Sequence, residues 1–146
     1  MRHATAADAP ALAALSTELG YPVDGAAIAA RLAVLSKRDD QAVYVTCDPA
    51  GGVTGWVHVA EQTLLETGLR CEILGLIVSS RCRRQGLGQR LADAAERWAA
   101  VRGLREISVR SNVVRVESHP FYVKRGYTRV KTQHAYRKRL DPGASS

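Results

Sequence analysis

The chain has 146 residues, of which 46% are hydrophobic and 24% charged, with a net charge of +7. This length suits one domain with a sizeable core, and the composition excludes a disordered or fibrous chain. Apolar runs such as Ile73 to Val78 are far shorter than the roughly 20 residues that cross a bilayer. Asp8 and Pro10 interrupt any secretion signal. We therefore expect a cytoplasmic protein without membrane association, one domain over residues 1–140 and a short tail at 141–146.

Cysteine and histidine usage gives no sign of a metal site. Cys47, Cys71 and Cys82 are odd in number and lack paired spacing, and the four histidines are scattered along the chain. Reduced thiols and no bound metal are the expectation.

The first half of the chain changes from a helical to a strand-like pattern. Met1 to Ala4 is a short predicted strand. A capping box of Thr5 and Asp8 begins a helix to about Leu19, and Asp24 caps a second helix. That second helix is predicted to end at about residue 38. Three β-rich runs follow, over residues 42–47, 53–59 and 70–78.

The second half begins with a long amphipathic helix. Apolar residues recur at helical spacing from Leu87 to Val101, and Gly103 ends the pattern. A short helix is predicted over residues 118–124, and further strands over 106–109, 127–130 and 135–140. This alternation predicts a mixed α/β domain in three layers, α/β/α, with helices on both faces of the sheet.

The glycine turn ahead of the long helix is the strongest functional signal. Arg83-Arg84-Gln85-Gly86-Leu87-Gly88 follows a strand and opens directly into the helix. The first amides of a helix lack intrahelical partners and the macrodipole favours negative charge there, so such a turn binds anions. A phosphorylated cofactor is the predicted ligand. The alternative is that the two glycines only form a tight corner.

The excess positive charge lies in two segments. Residues 79–92 hold four arginines and no acid, and residues 124–140 hold seven basic residues and no acid. Such a field attracts anionic ligands, whether a phosphorylated cofactor or nucleic acid, although the second segment is equally consistent with a solvated basic face. Because no helix-turn-helix, RNP or zinc-finger signature accompanies it, a nucleic-acid partner is disfavoured.

These residues resemble the GNAT superfamily of acyl-CoA-dependent N-acetyltransferases. Arg83, Gly86 and Gly88 match the family's phosphate motif, and the segment from Phe121 to Tyr127 matches its second motif, aromatic-Tyr-x-x-x-Gly-aromatic. The resemblance implies a central, mostly antiparallel sheet that splays at the cofactor site. It also implies acetyl-CoA as acyl donor and, as is common in the family, a homodimer.

The resemblance also implies which positions bind the cofactor. Main-chain groups of the strand before the turn would hold the pantetheine, and backbone amides of the turn would hold the diphosphate. These residues are Leu76, Ile77, Val78, Arg83, Arg84, Gln85, Gly86, Leu87, Gly88 and Gln89. Where many members carry a cofactor-binding asparagine this chain has Arg115, with Asn112 three residues earlier, so either could contact CoA.

Tyr122 is the predicted general acid, because a phenol can protonate the departing CoA sulfur; the alternative is a packing role. Glu72 is the first candidate for general base, as a lone acid expected on the face of Leu74, Leu76 and Val78. Its alternative is a strand-end salt bridge. Further candidate bases, acting directly or through water, are His58, Glu61 and His119.

The predicted function is direct transfer of an acetyl group from acetyl-CoA to a primary amine of a small molecule or peptide. The alternatives are a non-catalytic acyl-CoA sensor and, less favoured, a basic nucleic-acid-binding domain. The sequence does not identify the amine acceptor.

Overall fold

The computed structural model describes residues 1–82, 85–110 and 118–140. They belong to two compact units, Met1–Arg110 and Ser111–Ser146. One domain over residues 1–140 stays a prediction, and the proposed tail lies outside the described residues. No described helix is long and apolar enough to cross a membrane.

The first unit alternates helices and strands in nearly the predicted order. Its elements are β1 (Arg2–His3), α1 (Ala9–Glu18), α2 (Gly25–Leu35), β2 (Gln41–Cys47), β3 (Val53–Leu64), β4 (Gly68–Val78), α3 (Leu87–Val101) and β5 (Ile107–Val109). The five strands form one sheet in the order β1-β2-β3-β4-β5. The pairs from β1 to β4 are antiparallel, and β5 is parallel to β4. The prediction of a mixed, mostly antiparallel sheet is confirmed.

Helices cover both faces of this sheet. On one face, Leu12 of α1 and Leu32 of α2 pack against Val45, and we call this the α1–α2 face. On the other, Leu91 of α3 packs with Val57 and its neighbours, and we call this the α3 face. Leu91 is fully buried, which contributes about 2 kcal/mol of hydrophobic free energy. The three-layer prediction is therefore confirmed for the first unit.

A β-bulge interrupts β4 near its middle. His58 pairs with Gly75, but the next residue of β3, Val59, pairs with Ile73, so Leu74 is an extra residue in β4. Because side chains in a strand alternate between faces, one inserted residue shifts the alternation beyond it.

The bulge corrects one sequence-based expectation. Glu72 was expected on the same face as Leu76 and Val78, and this is wrong. Leu76 and Val78 pack against the core on the α3 face. Glu72 pairs with Ala60, which alternates with Trp56 on the α1–α2 face. Strict alternation along a sequence does not reveal an inserted residue.

Among residues 118–140, which are the described part of the second unit, α4 spans Ser118–Lys124. The helix ends in a turn at Gly126, whose φ is +93°. The strands expected over residues 127–130 and 135–140 are wrong, because residues 127–140 form neither helix nor strand. Residues 128–140 are all exposed, and a β-rich pattern without a surface to pack against has little preference for a strand.

Candidate functional site

The glycine turn has the geometry of an anion-binding helix start. Gly86 is the N-cap of α3 with φ +71°, in the left-handed region that favours glycine. Its carbonyl accepts the hydrogen bond from the N–H of Arg90 at 3.0 Å. The preceding amides, from Leu87 to Gln89, have no carbonyl one turn earlier within the helix. Such amides can bind an anion, and the binding of a diphosphate at this turn stays a prediction; Arg83 and Arg84 lie outside the described residues.

A second glycine brings α3 close to the sheet behind this turn. A Cβ on Gly55 of β3 would lie 3.0 Å from Leu91 Cδ1 and 2.9 Å from the carbonyl oxygen of Ile77. Beside it, the hydroxyls of Thr46 and Thr54 share a buried hydrogen bond of 2.9 Å. The close approach fixes the first turns of α3 against β3 and β4. The start of α3 therefore rests on a closely packed part of the fold.

A surface cavity of about 600 Å³ lies beside the turn. Gln85, Leu87 and Arg90 line one side of it, and the end of β2 with the following turn lines the other. The remaining lining residues are Thr54 and Cys82. The turn is thus open to a ligand on the side of its basic Arg90.

On the C-terminal side of the bulge, the described part of β5 leaves one edge of β4 without a paired strand. The β4–β5 ladder ends where Ile73 pairs with Val109, yet β4 continues to Val78. On its other side this stretch pairs with β3 as far as Val78 opposite Gly55. Within the described residues, Leu76–Val78 therefore have main-chain groups facing a side that β5 does not cover. This is the place where the resemblance puts the pantetheine.

Glu72 lies close to this edge and has a cationic partner. Its carboxylate is 3.3 Å from the guanidinium of Arg110, and its side chain is only 15% exposed. This ion pair agrees with the alternative that Glu72 forms a salt bridge. The role of Glu72 as general base stays a prediction.

His58 has a partner that sequence reasoning missed. Its Nε2 lies 2.7 Å from the side-chain oxygen of Gln41, a residue 17 positions earlier in the chain. Gln41 pairs with Ala60 in the neighbouring strand, so both side chains lie on the α1–α2 face. The β2–β3 register could have revealed this pair, but no sequence motif marks it. Burial lowers the pKa of His58 below its ordinary value.

Glu18 is a second residue that the sequence did not single out. It lies at the end of α1, and its carboxylate accepts hydrogen bonds from the backbone N–H of Ser80, at 2.8 Å, and from the Ser80 hydroxyl. This contact joins α1 to the segment between β4 and the glycine turn.

The other candidate residues are separated from this face or undescribed. Glu61 pairs with Cys71 on the α3 face and accepts a 2.6 Å hydrogen bond from Arg102. The side chain of His119, and both Asn112 and Arg115, lie outside the described residues. No cluster of three potential metal ligands occurs in the part of the chain that is described.

The second motif forms the predicted helix end. The N–H of Tyr127 donates to the carbonyl of Tyr122 at 3.0 Å, and Gly126 takes the left-handed position between them. The Tyr122 ring contacts Phe121 at 5.0 Å and Tyr127 at 5.5 Å, both edge-on. Glycine and the flanking aromatic residues thus hold the Tyr122 ring in one place within this unit.

Comparisons with known proteins agree with this geometry. Residues 14–127 match the model of the acetyltransferase (GNAT) family. An aminoglycoside N(6')-acetyltransferase type 1 of Klebsiella aerogenes is 29% identical over 102 residues, covering 68% of this chain and 67% of that protein. An uncharacterised N-acetyltransferase of Bacillus subtilis is 39% identical over 57 residues, covering 38% of this chain and 40% of that protein.

A solved structure shows the same fold. The aminoglycoside N-acetyltransferase AAC(6')-Iy, in complex with CoA, superposes with a TM-score of 0.82 at 19% identity. The match covers 95% of this chain and 93% of that one. At this identity the structural likeness supports the fold, while the family match covers most of the sequence. The chain belongs to the GNAT family of acetyltransferases.

Proposed function

We propose that this chain transfers an acetyl group from acetyl-CoA directly to a primary amine. The observation that carries the proposal is the glycine turn at Gly86, which starts α3, together with an edge of β4 that the described part of β5 does not cover, in a chain of the GNAT family. A phosphate-binding turn and an open strand edge together suit a ligand with a diphosphate and an amide-bearing arm.

The cofactor would be held largely by the backbone. Amides from Leu87 to Gln89, with Gln85 and Gly86, would take the diphosphate, and main-chain groups of Leu76–Val78 would take the pantetheine amides. Arg83, Arg84, Asn112 and Arg115 complete the predicted set from the resemblance. A backbone site of this kind binds the part that all acyl-CoA molecules share.

The transfer needs an acid that protonates the leaving CoA sulfur and a group that helps to remove the proton of the amine. Tyr122 is the proposed acid, because its phenol can donate a proton to the CoA sulfur as the C–S bond breaks. Glu72 is proposed on the acceptor side, where its largely buried carboxylate supplies negative charge for a protonated amine. No metal is part of this proposal.

An aminoglycoside amine is the first acceptor to test. The relative from Klebsiella aerogenes is named as an aminoglycoside acetyltransferase and the solved neighbour likewise. Small-molecule amines and peptides form the wider acceptor class. A cytoplasmic location and a homodimer stay predictions from the sequence.

The direct test is release of CoA thiol by the purified chain with acetyl-CoA and a panel of aminoglycosides, polyamines, amino acids and peptides. We expect saturable, amine-dependent release, with one acetyl group added to the acceptor by mass spectrometry. Tight acetyl-CoA binding without turnover on any amine would instead identify a sensor. Retention on DNA without acetyl-CoA binding would favour the nucleic-acid alternative.

A further inference from the structure

The His58–Gln41 contact determines which ring nitrogen of the histidine carries hydrogen. The Gln41 partner atom is its side-chain oxygen, 2.7 Å from His58 Nε2. An amide oxygen only accepts hydrogen bonds, so Nε2 must be the donor. In the neutral ring the lone pair then lies on Nδ1, for which the described residues supply no hydrogen bond.

The surroundings of His58 favour the neutral ring. Helices α1 and α2 present apolar side chains to this face, among them Leu12, Ile28 and Leu32. The ionisable groups on the same face of β4 and at the end of β5 are the exposed Arg70 and the ion pair of Glu72 with Arg110. Burial accordingly lowers the pKa of His58. A neutral histidine is a base that can accept a proton near neutral pH.

Two small residues lie beside His58 in the sheet. His58 pairs across the sheet with Gly75, which has no side chain, and the next residue on its own face of β3 is Ala60. Ala60 in turn pairs with Glu72. His58 and Glu72 therefore lie two residue pairs apart along the β3–β4 ladder, on the same face.

The indole of Trp56 occupies the space beside Gly75. A Cβ on Gly75 would lie 2.8 Å from Trp56 Cζ3 and Cη2, so the indole lies directly over the glycine backbone. Gly75 follows the bulge and begins the stretch of β4 that the described part of β5 does not pair with. The α1–α2 face, which carries His58 and Glu72, therefore meets the edge proposed to hold the pantetheine at Gly75.

We propose that His58 takes the proton from the acceptor amine through Nδ1, that Gln41 is its positioning residue, and that Glu72 attracts the ammonium. The inference rests on the proposed function and deepens it by naming the proton acceptor. It assigns to Glu72 an electrostatic role in place of the base role expected from the sequence.

One ammonium proton passes to His58 Nδ1, and the freed nitrogen lone pair forms a C–N bond with the thioester carbonyl carbon while the carbonyl π pair moves to oxygen. The C=O bond re-forms as the C–S bond breaks. The leaving sulfur receives the second proton lost from nitrogen, and His58 releases its proton to water. Gln41 accepts from Nε2–H in both charge states of the ring.

The first experiment determines the tautomer of His58 by NMR and requires no enzymatic turnover. Long-range ¹H–¹⁵N spectra of the labelled chain distinguish the two neutral tautomers, and His58→Gln identifies the signal. We expect the Nε2–H form at pH 7. Observation of the Nδ1–H form, or of an imidazolium at pH 7, would overturn the inference. The same spectra titrated in Gln41→Glu should show a raised pKa of His58, since a carboxylate favours the imidazolium.

The second experiment measures kcat/KM against pH. His58→Gln should lower kcat roughly a hundredfold or more while leaving acetyl-CoA affinity unchanged. Gln41→Glu, which keeps the base, should move the acidic limb of the profile upward by about one pH unit. Glu72→Gln should raise KM for the amine more than it lowers kcat.

The outcomes separate this inference from the proposed function. No turnover by the wild-type chain on any amine, with the tautomer as expected, means that the transferase proposal fails and the base assignment with it. Turnover that survives His58→Gln, or an acidic limb unmoved by Gln41→Glu, overturns the inference alone. Loss of the acidic limb of the kcat/KM profile in Glu72→Gln would identify Glu72, and not His58, as the base.

Discussion

Within the second unit, the hydroxyl of Tyr122 can be removed without removing its ring. Tyr122→Phe keeps the edge-on contacts with Phe121 and Tyr127, at 5.0 and 5.5 Å. If the phenol protonates the CoA sulfur, kcat should fall roughly a hundredfold or more. Acetyl-CoA affinity, measured by calorimetry, should stay the same.

Tyr127→Phe is the matched control, because it removes a hydroxyl from the ring that packs on Tyr122. We expect wild-type kcat for this variant. Equal losses of kcat and acetyl-CoA affinity in Tyr122→Phe would indicate a packing role.

Single residues also show what a sequence can and cannot reveal about the site. Gly86 could be predicted, because a positive φ at a helix start favours glycine, and a glycine between a strand pattern and a helical pattern is visible in the sequence. The Gln41–His58 pair depends on strand register, and the face of Glu72 depends on a bulge. Both follow from tertiary pairing, which local patterns do not encode.

The glycines at the two ends of α3 can be compared to separate backbone strain from cofactor binding. Gly86 before the helix and Gly103 after it have φ +71° and +79°, and neither has an atom within 4 Å of an added Cβ. Alanine at either position should cost about 1–2 kcal/mol in unfolding free energy, because a left-handed backbone is strained for other residues. Urea unfolding measures this cost.

Only one of the two substitutions should affect the cofactor. Gly86→Ala should weaken acetyl-CoA binding at least several-fold, since it disturbs the amides proposed to hold the diphosphate, whereas Gly103→Ala should leave binding unchanged. Equal affinity in both variants would remove the glycine turn from the cofactor site.

The start of α1 carries a pH-dependent contribution to stability. Asp8 accepts hydrogen bonds from Arg2 at 2.8 Å and from the backbone N–H of Thr5 at 2.7 Å. The side-chain hydrogen bond with Arg2 is the main cause that lowers the pKa of Asp8 to about 2. The stabilisation is therefore present above the ordinary carboxylate pKa, near 4, and disappears as pH falls towards 2.

Asp8→Asn should lower the unfolding free energy at pH 7 by about 1 kcal/mol, after allowance for the nearly half-exposed Arg2. Urea unfolding at pH 7 and near pH 2 should show this difference and then its loss. Asp40→Asn breaks an exposed ion pair with Arg38 and should change nothing measurable. A pH-independent effect of Asp8→Asn would contradict the account.

Across the elements, the sequence predicted the first unit better than the second. Helices and strands up to Val109 had strong periodicity and clear caps, and the structure moves most of their ends by a few residues only; β3 is longer, reaching Leu64. The strands expected after Tyr127 were wrong: basic residues interrupt the pattern, and residues 128–140 are all exposed, so burial does not favour a strand there.

For the whole molecule, the order of elements carried the family assignment. A strand, a glycine turn and a long helix, followed by an aromatic helix end at Tyr122, occur in many unrelated proteins separately. Together they predicted a GNAT chain, which the family match over residues 14–127 confirms. The acceptor was not predictable, because its site depends on side chains from several elements rather than on a motif.

If the backbone of this molecule binds an acyl-CoA, calorimetric titration of the purified chain with acetyl-CoA should show it. We expect saturable binding of one acetyl-CoA per chain, weakened by Gly86→Ala and unaffected by Gly103→Ala. Absence of any binding by the folded chain would contradict this expectation, and the transferase proposal would fail with it.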